Sequence, residues 1–151
     1  MRPIVIDLHR TLPGPPDVVW RLVTDWENQH LWMSEASDFV VTSPHREGVG
    51  VEATATVRVA GIRTRDSIRV DVWEPPARLG IEHRGWVKGR GDLYLERTVT
   101  ATAFRWREEL RPPWGILGAI GLRVYRPRLV RTFRRDLGLL ADLVGEHTDV
   151  A

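Results

Sequence analysis

Asp66, His83 and Glu108 are the residues of this 151-residue chain whose types and spacing best suit chemistry. Each falls at the apolar parity of an alternating run. Asp66 keeps step with Ile62, Ile68, Val70 and Val72, His83 with Leu79 and Ile81, and Glu108 with Phe104, Trp106 and Leu110. A carboxylate facing a core is costly unless paired or protonated, so three polar groups on one interior predict a wet cavity or a paired cluster. Desolvation would raise the pKa of Asp66 or Glu108 and equip it as a general base beside His83. Removing a proton next to a ketone and protonating the enolate is what aldol cyclisation and dehydration require. The plainer reading is a structural polar cluster, or strand ends from which these side chains reach solvent. The trio also suits zinc or iron, but one histidine without a second at helical or strand spacing supports no metal site.

The elements that must position these groups follow from periodicity. Ile4, Ile6 and Leu8 alternate with Val5, Asp7 and His9 as a first strand. Gly14-Pro15-Pro16-Asp17 then opens a short helix carrying Val19, Trp20 and Val23. Thr24-Asp25-Trp26-Glu27 matches a capping box and predicts a second short helix through about Leu31. From Ser37 to Leu110 the period is two. Val51 to Val59 reads as one strand and Ala60-Gly61 as a tight turn. Ile62 to Trp73 is the next strand, and Leu79, Ile81 and His83 share a face of the one after. Gly85, Gly89 and Gly91 predict a loop from Arg84 to Asp92. Leu93, Leu95 and Val99 make one more strand, and Phe104, Trp106 and Leu110 the last.

Arg111-Pro112-Pro113-Trp114-Gly115 stops the sheet, and an apolar segment, Ile116 to Val124, leads to Pro127 at the start of a new helix. There Leu129, Phe133, Leu137, Leu140 and Val144 form one stripe, with Arg128, Arg131, Arg134 and Arg135 largely off it. A curved antiparallel sheet covered by that helix is an α+β domain. The single domain spans 1–146, with 147–151 as a tail.

That order, with Pro15-Pro16-Asp17-Val18-Val19-Trp20, Thr24-Asp25-Trp26, Trp73-Glu74-Pro75-Pro76 and Trp106-Arg107-Glu108-Glu109-Leu110, resembles the polyketide cyclase/dehydrase branch of the START-like (SRPBCC) superfamily. The resemblance covers Ile4 to Glu146 and is closest to uncharacterised actinobacterial members with similar Asp-Trp-x-x-Gln and Glu-Glu-Leu segments. It implies a helix-grip fold, a curved seven-stranded antiparallel sheet around a long C-terminal helix. It also implies an internal cavity for a small hydrophobic, polyketide- or lipid-like ligand. The superfamily holds cyclases, hydrolases, receptors and carriers, so binding and acid–base catalysis by Asp66, His83 and Glu108 both stand as expectations. The expected ligand contacts are Trp32, Met33, Val57, Asp66, His83, Leu95, Trp106, Glu108 and Phe133. Trp32 and Met33 belong at the cavity mouth. Trp20, Trp26 and Trp106 read as core, and Trp86 as a lid residue or simply exposed.

Composition narrows the classes further. Cysteine is absent, which removes disulfide and thiolate chemistry and suits a reducing, cytoplasmic setting. No apolar run is long enough for a signal peptide or a membrane span, so no stable membrane insertion is expected. No nucleophile elbow or phosphate loop occurs, and Gly48-Val49-Gly50 opens a strand rather than a helix. No cofactor is expected. The arginines from Arg123 to Arg135 could meet phosphates or anionic lipid, but a solvated helix face explains them more simply. No aromatic residues interleave with them, so nucleic acid is not an expected partner. A monomer or a homodimer fits equally well.

Overall fold

The computed structural model describes residues 2–149. Strand β1 (Ile4–Leu12) is followed by helix α1 (Pro16–Val23) and a 3₁₀ helix (Trp26–Leu31). Strands β2 (Ala36–Val41), β3 (Glu52–Val59), β4 (Ile62–Glu74), β5 (Arg78–Arg84), β6 (Lys88–Arg97) and β7 (Thr102–Arg111) then lead to helix α2 (Gly115–Asp149). The strands form one antiparallel sheet in the order β1-β7-β6-β5-β4-β3-β2, so chain neighbours pair directly except where β7 returns to β1. Such neighbours need only short turns. Ala60 and Gly61, at φ 52° and 78°, make the two-residue turn between β3 and β4.

The core lies between the concave sheet face and the stripe of α2. Leu129, Phe133, Leu137, Leu140 and Val144 are all buried, and Arg128, Arg131, Arg134 and Arg135 are exposed. Fully burying a large apolar side chain is worth roughly 1.5–3 kcal/mol, so this stripe, rather than helix propensity, holds α2 down. Arg126 reaches across to donate to the Val5 carbonyl at 3.1 Å, covering part of the open edge of β1.

Several local expectations are corrected. The Thr24 hydroxyl donates back to the Trp20 carbonyl at 2.7 Å, finishing α1 rather than opening the next helix. Glu27 pairs with Arg46, so no capping box forms. Pro127 lies inside one continuous helix. Its missing N–H would have met the Arg123 carbonyl, and both residues sit on the exposed side, where water can take the carbonyl. The same helix carries 147–149 of the expected tail, whereas 150 and 151 lie outside the described residues. A bulge between Val70 and Val72 shifts the parity of β4, so Trp73 rather than Val72 packs on the core, edge-on against Trp20. Gly89 and Gly91 belong to β6, which leaves only 85–87 between strands. Val99 lies beyond β6 and is fully exposed.

Candidate functional site

The concave sheet does not meet α2 everywhere. Between them remains a cavity of about 170 Å³, walled mainly by apolar residues of β3–β7, the 3₁₀ helix and α2. Aromatic rings frame one side. Trp106 of β7 stacks on Phe133 of α2, with ring centroids 4.6 Å apart, and meets Trp32 edge-on at 5.8 Å. Trp32 is 1% exposed, so it forms inner wall rather than the expected mouth; Met33 beside it is half-buried.

His83 and Glu108 do come together. Strand parity turns both inward, and Nε2 of His83 lies 2.9 Å from Oε2 of Glu108. The other carboxylate oxygen accepts the Trp106 indole N–H at 2.7 Å. Gly91 stands directly opposite Glu108 in the β6–β7 register, and a Cβ there would lie 2.6 Å from Oε1. Glycine is therefore what gives this buried acid its room. Burial alone would lower the pKa of His83, but the charge and hydrogen bond of Glu108, with help from Asp66, outweigh it and hold the imidazole above its ordinary value.

Asp66 lines the same cavity but is not joined to that pair by a hydrogen bond. Its Oδ1 accepts from the Thr64 hydroxyl at 3.0 Å and from the Trp86 backbone N–H at 3.3 Å. Gly85 again clears the space, since a Cβ there would sit 2.2 Å from the Asp66 carboxyl carbon. Asp66 thus ties β4 to the 85–87 turn. Trp86 lines the cavity, half-buried, with its ring edge-on to Trp114 at 5.0 Å.

Of the expected contacts, Trp32, Met33, Val57, Asp66, His83, Trp106, Glu108 and Phe133 all line the cavity. Leu95 does not. It is 6% exposed in the solid core, toward the part of β6 that α1 packs against. Parity identifies the inward face of β6 but cannot say how far along it the helices close.

Two acids were missed. Asp136 of α2 is fully buried, and its Oδ1 accepts from the Ser34 N–H at 3.1 Å and the Ser34 hydroxyl at 2.6 Å. Glu35, on the cavity wall, lies against it. Burial, then the hydrogen bond and charge of Asp136, then the charge of Glu108 push the Glu35 carboxyl well above the usual range. A proton held on Glu35 also supplies a donor to Asp136. That proton accounts for Oε2 of Glu35 and Oδ2 of Asp136, which are otherwise without a donor, whereas the Trp32 indole N–H, sealed from water, has no protein hydrogen-bond partner. Asp136 was detectable, because it follows Phe133 by three residues and precedes Leu140 by four, which puts an acid on the apolar stripe. Glu35 sits in an irregular turn with no period to betray it. Among the described residues, no group of three or more His, Asp or Glu is placed to hold a metal ion.

The chain is 24% identical over 134 residues to an uncharacterised protein of Mycobacterium tuberculosis, covering 86% of this chain and 94% of that one. A Thermus thermophilus protein has the same fold, with TM-score 0.79 at 18% identity over 93% of this chain and 97% of its own. The Zhui aromatase/cyclase of a Streptomyces species superposes with TM-score 0.71 at 16% identity, covering 97% of this chain and 93% of that one. A START superfamily protein of Mycobacterium smegmatis also gives 0.71, at 11% identity over 96% and 97%. These identities speak for a shared helix-grip architecture and not for a shared reaction. Residues 3–145, all seven strands and most of α2, match the family described as polyketide cyclase/dehydrase and lipid transport, and the chain belongs to it.

Proposed function

We propose that the chain binds one compact apolar molecule carrying an uncharged hydroxyl in the cavity between sheet and α2. The observation that carries this is the polarity of the wall. It presents Glu35, Asp66, Glu108 and His83, and no arginine or lysine. A hydroxyl can donate to a carboxyl oxygen without bringing a charge, so it suits this wall. A carboxylate would enter beside other acids, with His83 already engaged by Glu108 and no arginine or lysine to offset its desolvation. Size limits the molecule as well. The cavity is close to the roughly 150 Å³ that holds a benzene ring and below the roughly 300 Å³ at which drug-sized sites begin. A one- or two-ring body fits.

A matched series tests this: 4-propylphenol, propylbenzene and 4-propylbenzoate, followed through the indole N–H resonances in ¹⁵N NMR. Trp32→Phe assigns the Trp32 signal. The phenol should bind tightest and shift that signal, and the benzoate should bind at least about tenfold more weakly, a difference of about 1.4 kcal/mol. Equal binding of phenol and benzoate would refute the choice of head group. Silence from all three would refute the binding site.

A second reading rests on the His83–Glu108 pair. An imidazole held above its ordinary pKa beside a cavity is suited to passing a proton to and from an enolisable ketone. The family description includes cyclases and dehydrases. Turnover of a polyketide-like ketone that vanished in both His83→Ala and Glu108→Gln, with ligand affinity retained, would favour the enzyme over the carrier. Asp66, bound to Thr64 and the 85–87 turn, has the weaker claim to that role.

A further inference from the structure

Trp114, just before α2, and the first three turns of the helix leave a row of large apolar side chains in water. Trp114 is 71% exposed, Ile116 70%, Leu117 78%, Ile120 54% and Val124 77%. At 3.6 residues per turn, the four aliphatic residues project to one side, opposite the buried Ala119 and Leu122. Three to four residues on at each step, the same outward ladder continues as Arg128, Arg131 and Arg135, all exposed, with Arg123 flanking it. No aspartate or glutamate occurs between Leu110 and Arg135. A contiguous apolar surface of this kind marks a contact with something other than water.

We infer that this end of α2 docks on an anionic lipid bilayer surface, with Trp114, Ile116, Leu117, Ile120 and Val124 entering the interface and the arginines meeting the headgroups. The chemistry favours lipid over a second copy of the chain. A two-fold contact would cover the apolar half of the ladder but, with no acid in the segment, would leave the arginines of both copies unmatched. A bilayer rich in anionic headgroups takes both halves of the ladder, because each arginine near the surface adds its own attraction. An apolar face bearing tryptophan and leucine beside a basic one is the pattern of a helix that lies in the interface. It does not cross, since no described helix is long and apolar enough. The surface is also continuous with the cavity. Trp86, which packs on Trp114, lines the cavity, as does Leu122 on the inner side of the same helix. A molecule dissolved in the bilayer would thereby have a short apolar route inward.

The full chain is tested by flotation with vesicles of phosphatidylcholine alone and of phosphatidylcholine with phosphatidylglycerol. It should float with the anionic vesicles, at least about tenfold more weakly with neutral ones, and lose binding at high salt. Trp114 emission should shift to the blue on binding, a change that Trp114→Phe removes. Leu117→Ser with Ile120→Ser should abolish flotation while leaving the melting temperature unchanged, because neither side chain is buried. Failure to float with anionic vesicles would overturn the inference, and so would flotation indifferent to the double substitution. A homodimer in light scattering that the double substitution dissolves would assign the face to a second copy instead. None of these outcomes depends on occupancy of the cavity.

Discussion

The two faces of the sheet treat buried acids in opposite ways. On the side away from the cavity, Asp92 is 3% exposed and held by two guanidinium groups, Arg90 at 2.8 Å and Arg78 at 3.1 Å, while Arg90 also binds Asp71. Burial would raise the Asp92 pKa, but hydrogen bonds and charge from Arg90 and Arg78 prevail and keep its carboxyl below the usual range. In the cavity, Glu35 has no cation beside it, and its carboxyl rises. The chain is rich in arginine, so arginine is not in short supply. Position decides. The outer acids are neutralised in place and serve the scaffold, whereas Glu35 holds a proton at the cavity wall.

Breaking the outer cluster should have the largest effect. Arg90→Met leaves Asp71 without its partner and Asp92 with Arg78 alone, and chemical denaturation should find a loss of roughly 3 kcal/mol, the low end for breaking a buried pair, because Arg90 is partly exposed. The loss should shrink as the pH falls through the carboxylate range, since protonated Asp92 no longer needs its partners.

Glu35 should respond with the opposite sign. Glu35 binds its proton more tightly in the folded chain than in the unfolded one, so stability falls as pH rises above its ordinary value of 4.5, by up to about 1.4 kcal/mol per pH unit until the raised value is reached. Glu35→Gln removes that loss. Thermal melts should show the variant gaining on the wild type between weakly acidic and neutral pH, with no gain below about pH 4.5. A variant that loses stability at neutral pH would mean that Glu35 is charged and paired, and the contrast between the faces would collapse.

The smallest effect belongs to an exposed pair on the outer side. Asp7 accepts from Arg105 at 2.6 and 2.9 Å, and these bonds hold its carboxyl below the ordinary range. Asp7→Asn should nevertheless cost less than about 1 kcal/mol in the same denaturation assay, because water screens the pair. A cost equal to that of Arg90→Met would show that pairing alone, rather than burial, governs the outer face.

Much of this was legible before any coordinates. Alternation in Val51–Val59 and Phe104–Leu110 set strand faces correctly, and the inward turn of His83 and Glu108 followed from the same count. Counting failed where the backbone changed step. The bulge in β4 exchanged Val72 for Trp73, and the expected boundary at Pro127 dissolved into one helix whose free carbonyl faces solvent. Gly91 resembled a loop marker, yet it lies in β6 as the hollow that accepts Glu108, and Gly85, in the expected turn, also clears room for Asp66. That role belongs to the strand next door, and no reading along a single run of residues contains it.

Residue order by itself determined the element types, the inward face of the strands that keep step and the stripe of α2, because these depend on local geometry with periods of two and 3.6. Only the tertiary structure decided which inward positions border a void. It also set Glu35 against Asp136 from segments 101 residues apart in sequence and left one side of α2's first turns without cover. Those outcomes depend on how closely separate elements approach, and packing distance is a property of pairs of surfaces that neither carries alone.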